Sequence, residues 1–218
     1  MRKGTGALVM LVLALSLPCS LAAEEAADGQ LVPLPAPQRS GGMPLMQALA
    51  ARHSSREFSE EPLSSQTLSD LLWAAFGINR PEKGGRTAPS PYNRQEITIY
   101  VTTAEGFYVY EPKPHALRRL GTEDVRALTG TQDYVGKAPL NLVYVADLSR
   151  VPDSETPLNL IFLGASAGTI AQNVYLFCAS AGLSTVVRGL IDREKLGQAL
   201  ALGTDRRITL AQTVGRPK

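Results

Sequence analysis

Cysteine and histidine are both scarce in this 218-residue chain, which contains two of each. Cys19 lies in a leader that we expect to be removed, so Cys178 would have no partner for an internal disulfide. His53 and His115 alone cannot supply the ligands of a structural zinc site. The sequence therefore argues against a domain held together by disulfides or by a metal, and we expect no metal ion. Cys178 lies in an apolar stretch and is interpreted as a small buried hydrophobic residue.

Uninterrupted apolar runs of roughly 20 residues are missing as well. Arg2 and Lys3 precede an apolar run over residues 7–17, which is typical of a secretory signal peptide and is assigned here to residues 1–23. The run is shorter than the roughly 20 residues of a bilayer span, and no other segment is expected to span one. We therefore expect an exported, periplasmic protein with no stable membrane insertion after cleavage. Retention of the leader as an anchor, or lipidation at Cys19, is left open.

An excess of charge of one sign is the third absence. The formal net charge is +2, and it falls to zero when the two basic residues of the leader are removed. A neutral protein has no electrostatic attraction to nucleic acid or to an anionic membrane. We therefore expect no nucleic-acid partner.

The remaining residues form one domain behind a short arm. Residues 24–42 are rich in alanine and proline, which is typical of a flexible, exposed arm. Residues 43–218 are enough for one hydrophobic core and too few for two large domains. The sequence therefore predicts a signal peptide, an arm and one domain.

Helix and strand patterns both occur in this domain. Ser64 and Gly77 bracket an apolar pattern of helical period, and residues 157–181 form a long apolar helix that we expect at the centre of the domain or at a subunit interface. Alternating residues predict a hairpin over 97–110, and residues 140–146 predict a buried central strand. Residues 79–94 are interpreted as a loop, and 114–120 and 122–128 as short helices. This mixture indicates an α+β fold.

A cluster of cations and hydroxyls follows a short predicted helix at residues 45–49. Arg52, His53, Ser54, Ser55 and Arg56 are adjacent in the sequence. Guanidinium groups bind phosphate through paired charge-assisted hydrogen bonds, and hydroxyls can satisfy further phosphate oxygens. The cluster is therefore a candidate phosphate grip, although such a pentapeptide alone also suits a solvated surface turn.

Two further motifs follow in order. Residues 89–95 read Pro-Ser-Pro-Tyr-Asn-Arg-Gln, and residues 214–217 read Val-Gly-Arg-Pro near the C-terminus. With Arg52–Arg56 and with residues 168–173 and 181–183, they resemble the nitroreductase superfamily of flavin enzymes, and most closely its SagB/ThcOx-type branch. The resemblance covers residues 45–218. It implies an α+β, nitroreductase-like fold, in which a mixed, mainly antiparallel sheet is flanked by helices and a long central helix forms the subunit interface.

The resemblance also implies a cofactor, FMN, and a role for each motif. Its phosphate and ribityl chain would be held by Arg52, His53, Ser54 and Arg56, with Arg216 as a second phosphate-side cation. The isoalloxazine ring would lie against Pro89, Ser90 and Asn93, with the backbone of Gly189 close by. Gly189 suits a turn at the end of a strand equally well. No side chain is expected to be catalytic, because the cofactor carries the chemistry.

The function implied is that of an FMN-dependent oxidoreductase with ping-pong hydride or electron transfer to or from an unidentified small-molecule or peptide-derived substrate. A homodimer with the flavin at the interface is implied as well. An exported protein has little access to nicotinamide donors, so the electron donor stays open. The alternative is an exported flavin-binding or accessory module without turnover.

Overall fold

A seven-stranded sheet organises the chain, which we describe from a computed structural model covering Met1 and residues 29–218. The expected signal peptide and the start of the arm lie outside the described residues. The strands are β1 Leu31–Pro33, β2 Ile78–Arg80, β3 Gly85–Arg86, β4 Ile97–Thr103, β5 Gly106–Glu111, β6 Ala116–Gly121, β7 Leu140–Asp147, β8 Ser184–Arg188 and β9 Arg206–Gly215. The helices are α1 Leu45–Ala51, α2 Ser65–Phe76, α3 Pro157–Ala181 and α4 Arg193–Ala199.

The order of the strands is β1-β6-β5-β4-β7-β9-β8, and each pairing between them is antiparallel. Strand β7 is buried along its whole length, as its apolar sequence predicts. One face packs against α2 and α3 through a large apolar cluster, and the other face carries a smaller cluster with α4. The predicted α+β class is confirmed.

Local sequence signals set the ends of the two longest helices. The side chain of Ser64 accepts a hydrogen bond from the backbone of Thr67 at the start of α2, and Thr156 caps α3 in the same way. Helix α3 ends at Gly182, whose left-handed conformation (φ 66°) favours glycine. Gly77 ends α2, but with an extended rather than a left-handed backbone. Both predicted helices are confirmed.

Three sequence-based assignments are wrong. The arm was assigned no packed element, but its residues Leu31–Pro33 form β1, which pairs with β6 at the edge of the sheet. The loop assigned to residues 79–94 contains the β2–β3 hairpin and a 3₁₀ turn at Pro91–Asn93. Residues 114–120, assigned to a helix, contribute to β6, because pairing with β5 and β1 outweighs the helix propensity of alanine, leucine and arginine.

Helix α3 is long and apolar enough, by length and composition, to cross a membrane. In this fold it packs instead against α1, α2, β8 and β9. Its residues Leu163, Ile170 and Val174 are buried in the main apolar cluster. The helix is therefore the central helix of the domain, and it positions both of the motifs described next.

Candidate functional site

The phosphate-grip segment, residues 52–56, follows α1 directly and is tied to the central helix. The hydroxyl groups of Ser54 and Tyr175 are hydrogen-bonded at 2.7 Å, and the backbone N–H of Val187 donates to the same Tyr175 oxygen at 3.0 Å. The backbone N–H of Ser55 donates to the carbonyl of Thr185 at 3.0 Å. These bonds fix the segment against α3 and β8.

Both arginines of this segment are available to an anion. The Arg52 guanidinium lies 5.3 Å from the centre of the Tyr175 ring, and Arg56 is exposed beside a cavity of about 570 Å³. Within residues 29–218, neither arginine forms an ion pair. The exposed His53 ring donates from Nδ1 to the carbonyl of Ala51 at 2.8 Å. This set of donors suits a phosphate.

Gly189 and Arg216 directly follow the paired strands β8 and β9. Because these strands are antiparallel, with Arg188 opposite Ala211, the two residues lie at opposite ends of the pair. A Cβ atom added to Gly189 would meet only a Leu210 methyl group, at 3.8 Å, so the space beside this backbone is open. Arg216 pairs with Glu61 at 3.6 Å, and both side chains are largely exposed. The charge of Arg216 is thus partly compensated, unlike that of Arg52 and Arg56.

A buried arginine, which sequence reasoning did not single out, fixes the strand end just before Gly189. Arg188 is 5% exposed and donates to Asn141 Oδ1 at 2.7 Å and to Thr213 Oγ1 at 2.8 Å. Burial lowers the pKa of its guanidinium to about 10, so the side chain stays charged at neutral pH. The network holds the backbone that leads to the open space at Gly189.

The proline-serine motif forms a tightly braced loop. The backbone N–H of Gln95 donates to Ser90 Oγ at 2.9 Å, and the Gln95 side chain donates to Asn93 Oδ1 at 3.0 Å. Tyr92 and Asn93 both have φ of 54°, a region that costs free energy for residues other than glycine. Pro89 opens the segment just before its 3₁₀ turn.

This loop is anchored at the start of α3. Arg94 donates to Asn159 Oδ1 at 3.1 Å, and the rings of Tyr92 and Phe162 are 6.4 Å apart. The phosphate-grip segment contacts the same helix sixteen residues later, at Tyr175. At a rise of 1.5 Å per residue, the two anchor points are about 24 Å apart along the helix axis.

A single chain therefore does not bring the two groups of predicted residues together. Arg52, His53, Ser54, Arg56 and Arg216 lie toward the end of α3, and Pro89, Ser90 and Asn93 lie toward its start. Gly189 comes two residues after Val187, whose backbone N–H donates to Tyr175. The cavity beside Arg56 is lined by Phe58, Tyr134 and Lys137 among others, and not by the proline-serine loop. Tyr175, which holds the phosphate-grip segment, was not predicted, because nothing in the sequence distinguishes its hydroxyl from those of Ser166 and Thr169 in the same helix.

The surface between the two groups is apolar. Six large hydrophobic side chains of α1 and of the first part of α3 are exposed, namely Leu45, Met46, Leu49, Leu158, Leu160 and Ile161. Gly164 and Gly168 continue the exposed stripe along α3, with open space around each. We call these residues the α1–α3 face. Groups of exposed large hydrophobic side chains on neighbouring elements mark interaction surfaces.

The fold and the two motifs define an α+β protein with candidate binding groups toward both ends of a central helix. Residues 49–216 match the model of the nitroreductase family. The chain is 32% identical to a nitroreductase-family protein of Methanocaldococcus jannaschii over 168 residues, which cover 72% of this chain and 84% of the relative. The chain belongs to the nitroreductase family.

Solved structures agree with this assignment. A nitroreductase-family protein of Ralstonia eutropha JMP134 is 46% identical, covers 88% of this chain and 91% of its own, and superimposes with a TM-score of 0.83. The NADPH:FMN oxidoreductase of Vibrio harveyi has the same fold at 19% identity and with a TM-score of 0.61. The match covers 80% of this chain and 69% of the Vibrio harveyi chain. The Escherichia coli microcin synthetase complex McbBCD also contains this fold, at 20% identity and with a TM-score of 0.69. The match covers 94% of this chain and 85% of the chain in that complex. The chain is therefore an oxidoreductase of a family that in general depends on flavin.

Proposed function

We propose that this protein is an FMN-dependent oxidoreductase of the SagB/ThcOx type, exported to the periplasm, in which two copies of the chain build each flavin site. The reaction proposed is ping-pong transfer of a hydride or electrons to or from a small-molecule or peptide-derived substrate. FMN, when bound, supplies the reversible redox chemistry. The residues of the chain bind it, orient it and control access to it.

The position of the two motifs at opposite ends of α3 carries this proposal. If two copies pack through the α1–α3 face about a twofold axis, with their α3 helices antiparallel, the start of one α3 lies beside the end of the other. The Ser90–Asn93 loop of one copy then lies next to the Arg52–Arg56 segment of its partner. Burial of the six exposed hydrophobic side chains would stabilise the pair.

Each residue then has a defined task. Arg52 and Arg56, which have no carboxylate partner in the described part of the chain, neutralise the phosphate, and Ser54 and His53 offer further polar contacts. The open backbone at Gly189 allows close approach of a flat ring. Ser90 and Asn93 present a rigid wall to that ring, because hydrogen bonds from Gln95 brace the loop.

Flavin content of two arginine variants tests the phosphate assignment. We expect the full chain to purify yellow and to release FMN on denaturation. Arg52→Ala with Arg56→Ala should lower the bound flavin at least about tenfold, because two charge-assisted contacts are removed. Circular dichroism should stay unchanged, because both side chains are at the surface.

Lys195→Ala with Arg207→Ala is the matched control, since it removes two cations near α4 and should leave the flavin content unchanged. Full flavin content in the Arg52 and Arg56 double variant would contradict the assignment.

Bleaching of the yellow protein by dithionite, followed by reoxidation by an added acceptor, tests turnover. A flavin that is bound but never reoxidised would indicate the accessory module instead.

A further inference from the structure

A second cavity lies away from all the predicted flavin contacts. It has a volume of about 490 Å³ and lies where the start of α2, the β4–β5 turn, the edge strand β1 and its neighbour β6 meet. Its walls are mainly hydrophobic and include Val32, Leu63, Leu68, Leu117 and Leu140. Sites for small molecules in proteins have this size and character.

One charged side chain in this cavity has unused hydrogen-bonding capacity. Arg119 donates from Nη2 to the carbonyl of Glu105 at 2.8 Å and to the hydroxyl of Tyr108 at 3.1 Å. Its Nε atom is buried and has no hydrogen-bond partner. Within residues 29–218 no carboxylate forms an ion pair with it. A buried donor without a partner costs free energy that a bound acceptor would restore.

The other charges around the cavity narrow the choice of ligand. Arg126 also lines the wall, but it is paired with Asp124 at 2.8 Å. Glu60 and Glu105 line the cavity too, so they would repel any negative charge on a ligand beyond the one that Arg119 neutralises. Nucleotides and phosphorylated cofactors are thereby disfavoured. A single carboxylate can reach Arg119 while an apolar body occupies the rest of the space.

We propose that this cavity binds a small apolar monocarboxylate, with the carboxylate on Arg119 and the hydrocarbon part against Leu63, Leu68 and Leu140. The site is independent of the flavin, because none of the residues assigned to FMN lines it. Arg119 is held ready for a planar anion by its two bonds from Nη2 and by the Tyr108 ring, whose centre lies 5.4 Å from the guanidinium carbon.

Calorimetric titration of the full chain with octanoate, octanol and octylamine tests the proposal. We expect octanoate to bind at least about tenfold more tightly than octylamine, and Arg119→Gln to weaken octanoate binding about tenfold while octanol binding stays the same. Arg118→Gln is the control, since Arg118 is adjacent on β6, pairs with Glu111 and lines a different cavity. Octanoate binding should be unchanged in that variant.

Leu68→Trp should fill the cavity and abolish binding of both octanoate and octanol, and Val32→Trp at the rim is a second route if the first variant does not fold. Flavin content should stay the same in Arg119→Gln, which separates this site from the flavin site. Equal octanoate affinity in Arg119→Gln and the parent chain, or no binding of any probe to the parent chain, would overturn the proposal.

Discussion

At the scale of single residues, buried polar side chains fix the backbone that carries the site. Tyr175 accepts from Val187 and bonds to Ser54, so it joins the phosphate-grip segment to β8. Arg188 fixes the end of β8, just before Gly189, through its hydrogen bonds to Asn141 and Thr213. Cys178, by contrast, is fully buried and burial raises the pKa of its thiol, so it stays protonated and has the packing role that the sequence predicted.

A third polar group of this kind, around His115, holds the arm on the domain. The ring bonds to Ser69 through Nε2 at 2.7 Å and to the Tyr110 hydroxyl through Nδ1 at 3.0 Å. Ser69 in turn donates to the carbonyl of Pro35 in the arm at 2.6 Å. Because Ser69 uses its proton on Pro35, the neutral His115 ring donates from Nε2 and accepts at Nδ1.

Protonation of His115 should therefore weaken the fold. Burial, helped by the nearby Arg39 charge, lowers the pKa of His115 below its ordinary value of 6.5. The unfolded chain binds the proton more readily, so this contribution to stability is complete above pH 6.5 and is lost as the pH falls toward the lowered folded-state pKa. We expect the free energy of unfolding to fall between pH 7.5 and 5.5, as measured by urea denaturation.

His115→Gln should cost about 1 to 2 kcal/mol at pH 7.5, because hydrogen bonds to buried partners are lost. It should also flatten the dependence of stability on pH in this range. His53→Gln, at the exposed second histidine, is the control and should keep the slope of the parent chain. An equal slope in parent and His115→Gln would show that His115 is not responsible.

At the scale of secondary-structure elements, α3 combines two roles. One side packs into the core, and the other forms the α1–α3 face with exposed Leu158 and Ile161. An apolar helix of 25 residues with only part of its surface buried predicts a partner for the remaining face. The long helix was expected at the centre of the domain or at an interface, and its packing fits the first role while its exposed side fits the second.

Ile161→Lys should disrupt the proposed pairing of two chains. A lysine in the middle of an apolar contact places an unpaired charge there, so we expect the dimer dissociation constant to rise at least about tenfold, with loss of bound flavin. Sedimentation equilibrium measures the first effect and absorbance the second. Leu128→Lys, at another exposed leucine outside the α1–α3 face, should leave both unchanged. A fully dimeric, yellow Ile161→Lys protein would exclude this face as the interface.

Sequence patterns predicted elements where the signal is local. Ser64 starts α2 through its side chain, Gly182 ends α3 through its left-handed backbone, and the apolar run at 140–146 defines a buried strand. The Leu31–Pro33 and Ala116–Gly121 strands were missed because they are determined by pairing with each other and with β5, which no local pattern records. Each motif of the site was likewise recognised from its own residues. The distance between the motifs along α3 could not be predicted, because it depends on tertiary structure.

At the scale of the whole molecule, the proposed site exists only where two chains meet. Each chain carries the Arg52–Arg56 segment near Tyr175 and the Ser90–Asn93 loop near Asn159, about 24 Å apart along one helix. Two copies related by a twofold axis would form two equivalent sites, each with one motif from either chain. Loss of pairing should therefore remove the flavin even when all the contact residues are intact.

Complementation between two defective chains tests this claim most directly. One chain carries Arg52→Ala with Arg56→Ala, and the other carries Ser90→Ala with Asn93→Ala; each alone should purify nearly colourless. Co-expressed with different tags and purified through both, the mixed pair should contain one intact site, and hence one FMN per two chains. A mixed pair as colourless as its parents would show that each site is built within a single chain and would contradict the account.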